Sequence, residues 1–211
     1  MIFGVPPESR FFGLQKDRIG NIIVYYVDKI GHGLSLTKLL KLLYLTDEES
    51  VKKTGVPITW LDHNAWKRGP VSPDVFHEIK SLEKGIIRNK KESLDEFISV
   101  CTKDYKGKTQ FTCIDTKKSF DNSEFTDFEL GIFDHVVSKY GNMSADKLEA
   151  LTHKEGSLYD GVYKANDLEA VFKLKGSSSH PVEFFPLIKD DPIKQLAYKS
   201  AYQSLDFQQG I

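Results

Sequence analysis

The amino-acid sequence predicts a mainly α-helical fold, a compact helical domain with a small antiparallel β-hairpin packed against it. Three observations predict it. Apolar residues recur at a spacing of three and four in several segments of the 211 residues, which places them on one face of a helix. That period gives way once, between Phe97 and Ile114, to two β-branched and aromatic runs around a polar turn. Glycines, prolines and capping hydroxyls stand at the ends of the periodic segments.

The first helix is expected from about Lys16 to Ile30, with Ile19, Ile22, Ile23, Tyr26, Val27 and Ile30 on its buried face; Gly31 and Gly33 end it. A second opens at Ser35 or Thr37, either of which can accept first-turn N–H groups, and runs through Leu39, Leu42, Leu43 and Tyr44 to Lys53. Gly55 stops it and Pro57 forbids continuation. The segment from Val56 to Arg68 carries Ile58, Trp60, Leu61, Ala65 and Trp66, too many large apolar groups for a free loop. Gly69-Pro70 marks a sharp change of direction into a third helix, with Ser72 as its cap and Pro73 at the first helical position. Val75, Phe76, Ile79 and Leu82 form its buried stripe and Gly85 closes it.

The two runs between Phe97 and Ile114 flank Asp104 to Lys108 and read as a two-stranded hairpin, which would be marginal alone and must lie on the helices. Helical period returns from about Glu124 to Tyr140 with Phe125, Phe128, Ile132, Phe133, Val136 and Val137 inward, and Gly141 at the end. Ser144 caps a short helix carrying Leu148 and Leu151, closed by the Gly156-Ser157 turn. Beyond Asp167 the pattern loosens. Residues 173–180 hold Gly176 and three serines, a linker composition, and Asp191-Pro192 introduces a last helix to about Phe207.

Composition bounds the function. At 40% hydrophobic and 28% charged, with no apolar run near the ~20 residues of a bilayer span, the chain reads as globular and soluble. The N-terminus, with Pro6-Pro7, Glu8 and Arg10, lacks the layout of a secretory signal, so a cytoplasmic location is expected. Two cysteines form neither a disulfide framework nor a zinc spacing, and both are expected as reduced thiols. Cys101 and Cys113 nevertheless lie at matched distances from Gly107 and could face each other across the hairpin. A formal net charge of -1 gives no overall attraction to nucleic acid or anionic membranes. Its distribution is uneven: residues 84–118 hold nine Lys or Arg against five Asp or Glu, while residues 119–170 hold four against eleven, which points to two oppositely charged faces.

No catalytic or metal constellation stands out. The six histidines match no ligand spacing, so neither a metal nor another cofactor is expected. Thr152, His153, Gly156 and Ser157 admit a hydrolase reading, but no Gly-x-Ser-x-Gly elbow or orienting acid accompanies them; a helix end with His153 and Lys154 on the C-terminal dipole accounts for the same letters. Arg88 to Lys91, Lys103, Lys106 and Lys108, interleaved with Tyr105 and Phe111, have the composition of a weak DNA-binding patch. Lysines that keep an exposed strand edge from pairing have it too, and the total charge favours that account.

A family resemblance adds to this reading. The block Lys38 to Asp47, containing Lys41-Leu42-Leu43-Tyr44, is followed by Gly55-Val56-Pro57-Ile58, Ala65-Trp66-Lys67-Arg68-Gly69-Pro70-Val71, Lys139-Tyr140-Gly141 and Leu151-Thr152-His153-Lys154-Glu155-Gly156-Ser157. In order and spacing these resemble the Panacea domain, also called the SocA-like antitoxin domain. The chain departs from the family's Ser-Pro-Trp by reading Ser157-Leu158-Tyr159. The resemblance covers about residues 20–165, assigns residues 1–170 to the domain, and leaves 171–211 as an extension with a linker and final helix. It implies an antitoxin of a two-gene module, not an enzyme, that neutralises a cognate protein toxin by direct binding. A nucleic-acid-binding regulator or a proteolytic adaptor is the alternative, and self-association is compatible with either. The family has no established active site, so Lys41, Leu42, Leu43, Tyr44, Ala65, Trp66, Gly69, Pro70, Val71, Thr152, His153, Gly156 and Ser157 are expected to do architectural work. Partner choice would then fall to variable surface, with Tyr105, Lys106, Lys108 and Phe111 of the hairpin as the first candidates and the extension after Asp167 as the second.

Overall fold

A computed structural model of the chain describes residues 12–87, 89–90, 93–105 and 109–209; Tyr105 is described in its backbone only. Helix α1 (Phe12–Ile30) begins one turn before the expected start and buries Ile19, Ile22, Ile23, Tyr26 and Val27 completely. Helix α2 (Leu36–Thr54) is the spine of the molecule. Ser35 caps it by accepting from Lys38 N at 3.4 Å, and Gly55, at φ +86, ends it in the left-handed conformation. A Cβ on Gly55 would run into the backbone of Lys194, so the last helix seats on this cap.

From Leu39 to Asp47 every residue of α2 is buried, which makes it hydrophobic all round with polar groups set into it. Each such group has a partner from another element or from its own helix. The Thr46 hydroxyl donates to Leu42 O at 2.7 Å and meets the Tyr26 hydroxyl of α1. Asp47 accepts from Ile58 N at 2.8 Å, Thr59 N at 2.7 Å and the Thr59 hydroxyl, clamping the following loop. Glu49 accepts from the Tyr140 hydroxyl at 2.6 Å and from Lys139 at 2.9 Å, at the end of helix α4 (Asp127–Tyr140). Burial opposes ionisation of Glu49, yet the Tyr140 and Lys139 donors hold its carboxyl below the usual range. The buried polar groups therefore fix how α1, α2 and α4 sit together.

The structure corrects the reading of residues 64–71. Strands β2, counted after the two-residue β1 (Leu34–Ser35), and β3 occupy Asn64–Trp66 and Gly69–Val71 and pair antiparallel, with Asn64 opposite Val71 and Trp66 opposite Gly69. Gly69-Pro70-Val71 is thus a strand, and the turn is Lys67-Arg68. Strands of three residues are too short to show a period. Pro70 fits because Ala65 opposite it bonds the other way: its N–H donates to His180 O at 2.9 Å and its carbonyl accepts from the Ser178 hydroxyl at 2.5 Å. The serine-rich stretch continues along that edge of β2, with Lys67 N donating to Gly176 O at 2.9 Å and Val182 N to His63 O at 2.7 Å.

Helix α3 (Pro73–Glu83) starts where expected, but the Ser72 hydroxyl makes no capping bond and is buried without a partner. Strands β4 (Ile98–Tyr105) and β5 (Thr109–Thr116) form the expected hairpin; β1 adds to β5, so the sheet has three strands in the order β1-β5-β4. Their register sets Cys101 directly opposite Cys113, with Cα atoms 5.2 Å apart, and the two are joined in a disulfide. The expectation of two reduced thiols is therefore overturned.

Helix α4 is capped by a reciprocal box in which Thr126 and Glu129 bond each other's backbone. Helix α5 (Ala145–Thr152) follows, capped by Ser144. Two helices absent from the sequence reading come next, α6 (Leu158–Ala165) and α7 (Leu168–Leu174). They are eight and seven residues long, about two turns, which gives periodicity little to act on. Helix α8 (Pro192–Gln209) closes the chain. Among the described residues no helix is long and apolar enough to cross a membrane.

Candidate functional site

The motif residues converge at one junction, where the middle of α2, the β2–β3 hairpin and the end of α5 meet. Leu42, Leu43, Tyr44, Ala65 and Val71 belong to its core, each buried. Lys41 is the unusual member. It projects from a buried turn of α2, is 1% exposed, and donates from Nζ to Pro70 O at 2.8 Å. Burial pulls its pKa down to about 7; Glu149 opposes that shift and Arg68 adds to it. No carboxylate lies within ion-pair distance of Lys41 among the described residues, so the ammonium is held by a carbonyl dipole in place of a counter-charge.

Gly69 makes this approach possible. Its φ is +97, and a Cβ there would stand 2.8 Å from both Lys41 Nζ and Thr152 Oγ1 and 3.1 Å from His153 Cε1. Opposite it, Trp66 lies edge-on to Phe76 with centroids 4.8 Å apart, and its carbonyl accepts from the Tyr159 hydroxyl at 2.8 Å. Tyr159 is buried, its ring lies tilted against His153 with centroids 4.2 Å apart, and its hydroxyl ties α6 to the hairpin. Arg68 reaches from the turn to Asp146 at 3.0 Å and Glu149 at 2.7 Å on α5. A pocket of about 590 Å3 opens beside Lys41 between Leu36, Leu40, Trp66, Val71 and Phe76.

The hydrolase reading can be checked atom by atom. His153 Nδ1 faces Glu149 O at 2.7 Å and Nε2 faces Lys67 O at 3.3 Å, so both ring nitrogens are engaged with backbone carbonyls. The Ser157 hydroxyl donates to Thr152 O at 2.8 Å and accepts from Asp160 N at 3.1 Å, which makes it the N-cap of α6. Gly156, at φ +79, supplies the turn and donates to Asp160 at 2.9 Å. No bond joins His153 to Ser157. The pair works as two helix-end devices, not as base and nucleophile.

The hairpin candidates lie elsewhere, in the three-stranded sheet. Phe111 is half-buried on β5 opposite Lys103. Lys106 and Lys108 lie outside the described residues, as does the side chain of Tyr105. Sequence reasoning missed the Asp47 clamp and the burial of His63. Asp47 closes the first motif block, so its signal was present; a carboxylate about two turns before the end of an apolar helix, with a loop rich in N–H donors to follow, is the mark of such a clamp.

Neither the curated proteins nor the solved structures include a match to this chain. The family described as Antitoxin SocA-like, Panacea domain, matches residues 39–157, from the first turn of α2 to the cap of α6, a span that contains every element of the junction. That match takes in more than half of the sequence, and the chain belongs to the SocA-like Panacea antitoxin family.

Proposed function

We infer that this chain is the antitoxin of a two-gene module, acts in the cytoplasm, and neutralises its cognate protein toxin by forming a stoichiometric complex without bond-making chemistry. Family membership is the observation that carries the reading. The use of His153 and Ser157 as helix-end devices supports it, since the one cluster of catalytic-looking letters is committed to structure.

The motif junction serves as the frame and the surfaces flanking it choose the partner. The extension 171–211 supports that division: α8 exposes Ile193, Leu196 and Phe207, at 80, 67 and 73%, along its outer side, and Leu174 at the end of α7 is 90% exposed. Apolar side chains so fully in water are what a partner covers. The β4–β5 hairpin, with Tyr105, Lys106, Lys108 and Phe111, is the second contact surface.

The test is co-expression with the product of the neighbouring gene. Restored growth, together with a complex of fixed stoichiometry on co-purification, is the expected result. Toxicity that persists with both proteins present refutes the reading. Relief with the toxin lost from the cell, and no complex recovered, replaces neutralisation with delivery to a protease.

A further inference from the structure

Cytoplasmic thiols are normally kept free, so a disulfide in a protein of that compartment is usually one that forms and breaks in use. Cys101 and Cys113 are joined, and their two sulfurs are placed unequally. Cys101 is exposed on β4, the edge strand of the sheet, whereas Cys113, on the central strand β5, is 0% exposed. A small thiol or disulfide in solution can therefore reach Cys101 and not Cys113.

The bond also sits at a boundary along the hairpin. On one side of it Ile98 and Ile114 belong to the core and Val100 packs against them. From Cys101 to Asp104 every residue of β4 is exposed. This outer part is tied to α3 by side-chain hydrogen bonds: Thr102 donates to Glu83 at 3.0 Å, and Lys80 donates to Thr112 at 2.8 Å. Apolar packing thus holds the base of the hairpin, while the strand ladder, the bridge and these hydrogen bonds hold its outer half.

The surroundings favour exchange at Cys101. Side chains two apart on a strand share a face, so Lys103 lies on the same side of the sheet as Cys101. Its ammonium reaches Gly33, just before β1 and beyond β5, so its stem crosses the central strand over Cys113. Asp115 shares that face and is engaged by His32, whose hydrogen bond, with the charge of Lys103, holds its carboxyl below the usual range. A cation over this face favours a thiolate at Cys101, the form that attacks a disulfide.

We propose that Cys101 and Cys113 form a reversible redox switch, a dithiol in the resting cell and a disulfide under oxidative challenge, which fixes the outer half of the β4–β5 hairpin when closed. The oxidant is a low-molecular-weight disulfide such as oxidised glutathione. The Cys101 thiolate attacks one of its sulfurs; a mixed disulfide forms at Cys101 Sγ, the small molecule's S–S bond breaks, and one thiolate leaves and takes a proton from water. Cys113, deprotonated in turn, attacks Cys101 Sγ; the bridge forms, the mixed bond breaks and the second thiolate leaves. The cysteines lose two electrons and the small disulfide becomes two thiols. Reduction by a small thiol runs the same steps backwards and starts at Cys101, the sulfur in reach. The switch rests on the cytoplasmic antitoxin reading, which supplies the reducing compartment and makes the hairpin a surface that meets the toxin.

The experiment follows the full chain in intact cells. Thiols are trapped with an alkylating reagent at rest, after a pulse of diamide, which oxidises the cell's glutathione, and after recovery, and the peptides are read by mass spectrometry. Both cysteines are expected to be alkylated at rest, joined after the pulse and alkylated again on recovery. With purified protein, oxidised glutathione is expected to be trapped on Cys101, and Cys101→Ser, a change at the exposed sulfur, is expected to take up none at Cys113. Amide exchange at residues 101–104 and 109–112 is expected to be about tenfold faster in the reduced protein. A bridge already present in resting cells, two free thiols after the pulse, glutathione taken up at Cys113, or equal exchange in the two forms overturns the proposal. No toxin enters this test. If the pair cycles and the neighbouring gene's product is not neutralised, the antitoxin reading fails and the switch stands; if neutralisation holds and the pair does not cycle, the switch alone fails.

Discussion

Replacing Lys41 with methionine separates the cost of its buried charge from the value of its hydrogen bond. Burial lowers the Lys41 pKa from 10.5 to about 7 in the folded chain. Below about pH 7 the ammonium is protonated in both folded and unfolded states, and the full cost of burying it weighs on the fold. Between about 7 and 10.5 the unfolded chain binds the extra proton, so stability rises with pH, by up to ~1.4 kcal/mol per unit and on the order of 4–5 kcal/mol across the window. Lys41→Met keeps the length of the side chain and removes that cost. It also leaves Pro70 O without its donor, a loss of ~1–3 kcal/mol. The variant should therefore be more stable than the parent by ~2 kcal/mol at pH 7 and less stable by a similar amount near pH 10. Urea unfolding of both proteins at half-unit steps from pH 6 to 10, followed by tryptophan fluorescence, measures the difference. Every other titration is common to the two proteins and cancels. A difference that stays constant across this range would mean that Lys41 is not held in a low-dielectric site, and the reasoning would fail.

Gly69→Ala should cost ~2–4 kcal/mol, because the left-handed φ and the collision with Lys41 and Thr152 add, whereas Gly85→Ala, at φ +70 with open space around it, should cost about 1; denaturant midpoints give both. Reducing the Cys101–Cys113 bridge, which closes a loop of twelve residues, should lower stability by ~3 kcal/mol; alkylation before and after reduction, read by mass spectrometry, shows whether the purified chain carries the bond.

Helix α2 shows where a sequence yields its structure and where it withholds it. Its ends were legible, because Ser35 and Gly55 act through their own backbone and need no neighbour from afar. Its faces were not. Nothing in the local pattern marks Lys41, Asp47 and Glu49 as buried, yet all three are, since a helix covered on every side has no outward face for a period to mark. What decides their fate is whether a partner arrives: Pro70 O for Lys41, the Ile58 and Thr59 N–H groups for Asp47, the Tyr140 hydroxyl for Glu49. Those partners lie 11 to 91 positions away along the chain, beyond any window of local pattern. The same limit hid the β2–β3 hairpin, whose three-residue strands are held on one side by residues 176–182.

The motif itself was legible as letters and not as geometry. Read along the chain, Thr152, His153 and Ser157 look like the makings of a catalytic site; in space each turns its polar atoms onto the backbone of the junction. His63 shows the complementary case: its buried ring has no hydrogen-bond partner, and nothing in the sequence marks it. The junction at Lys41 therefore reads as frame, its polar groups closed on backbone carbonyls.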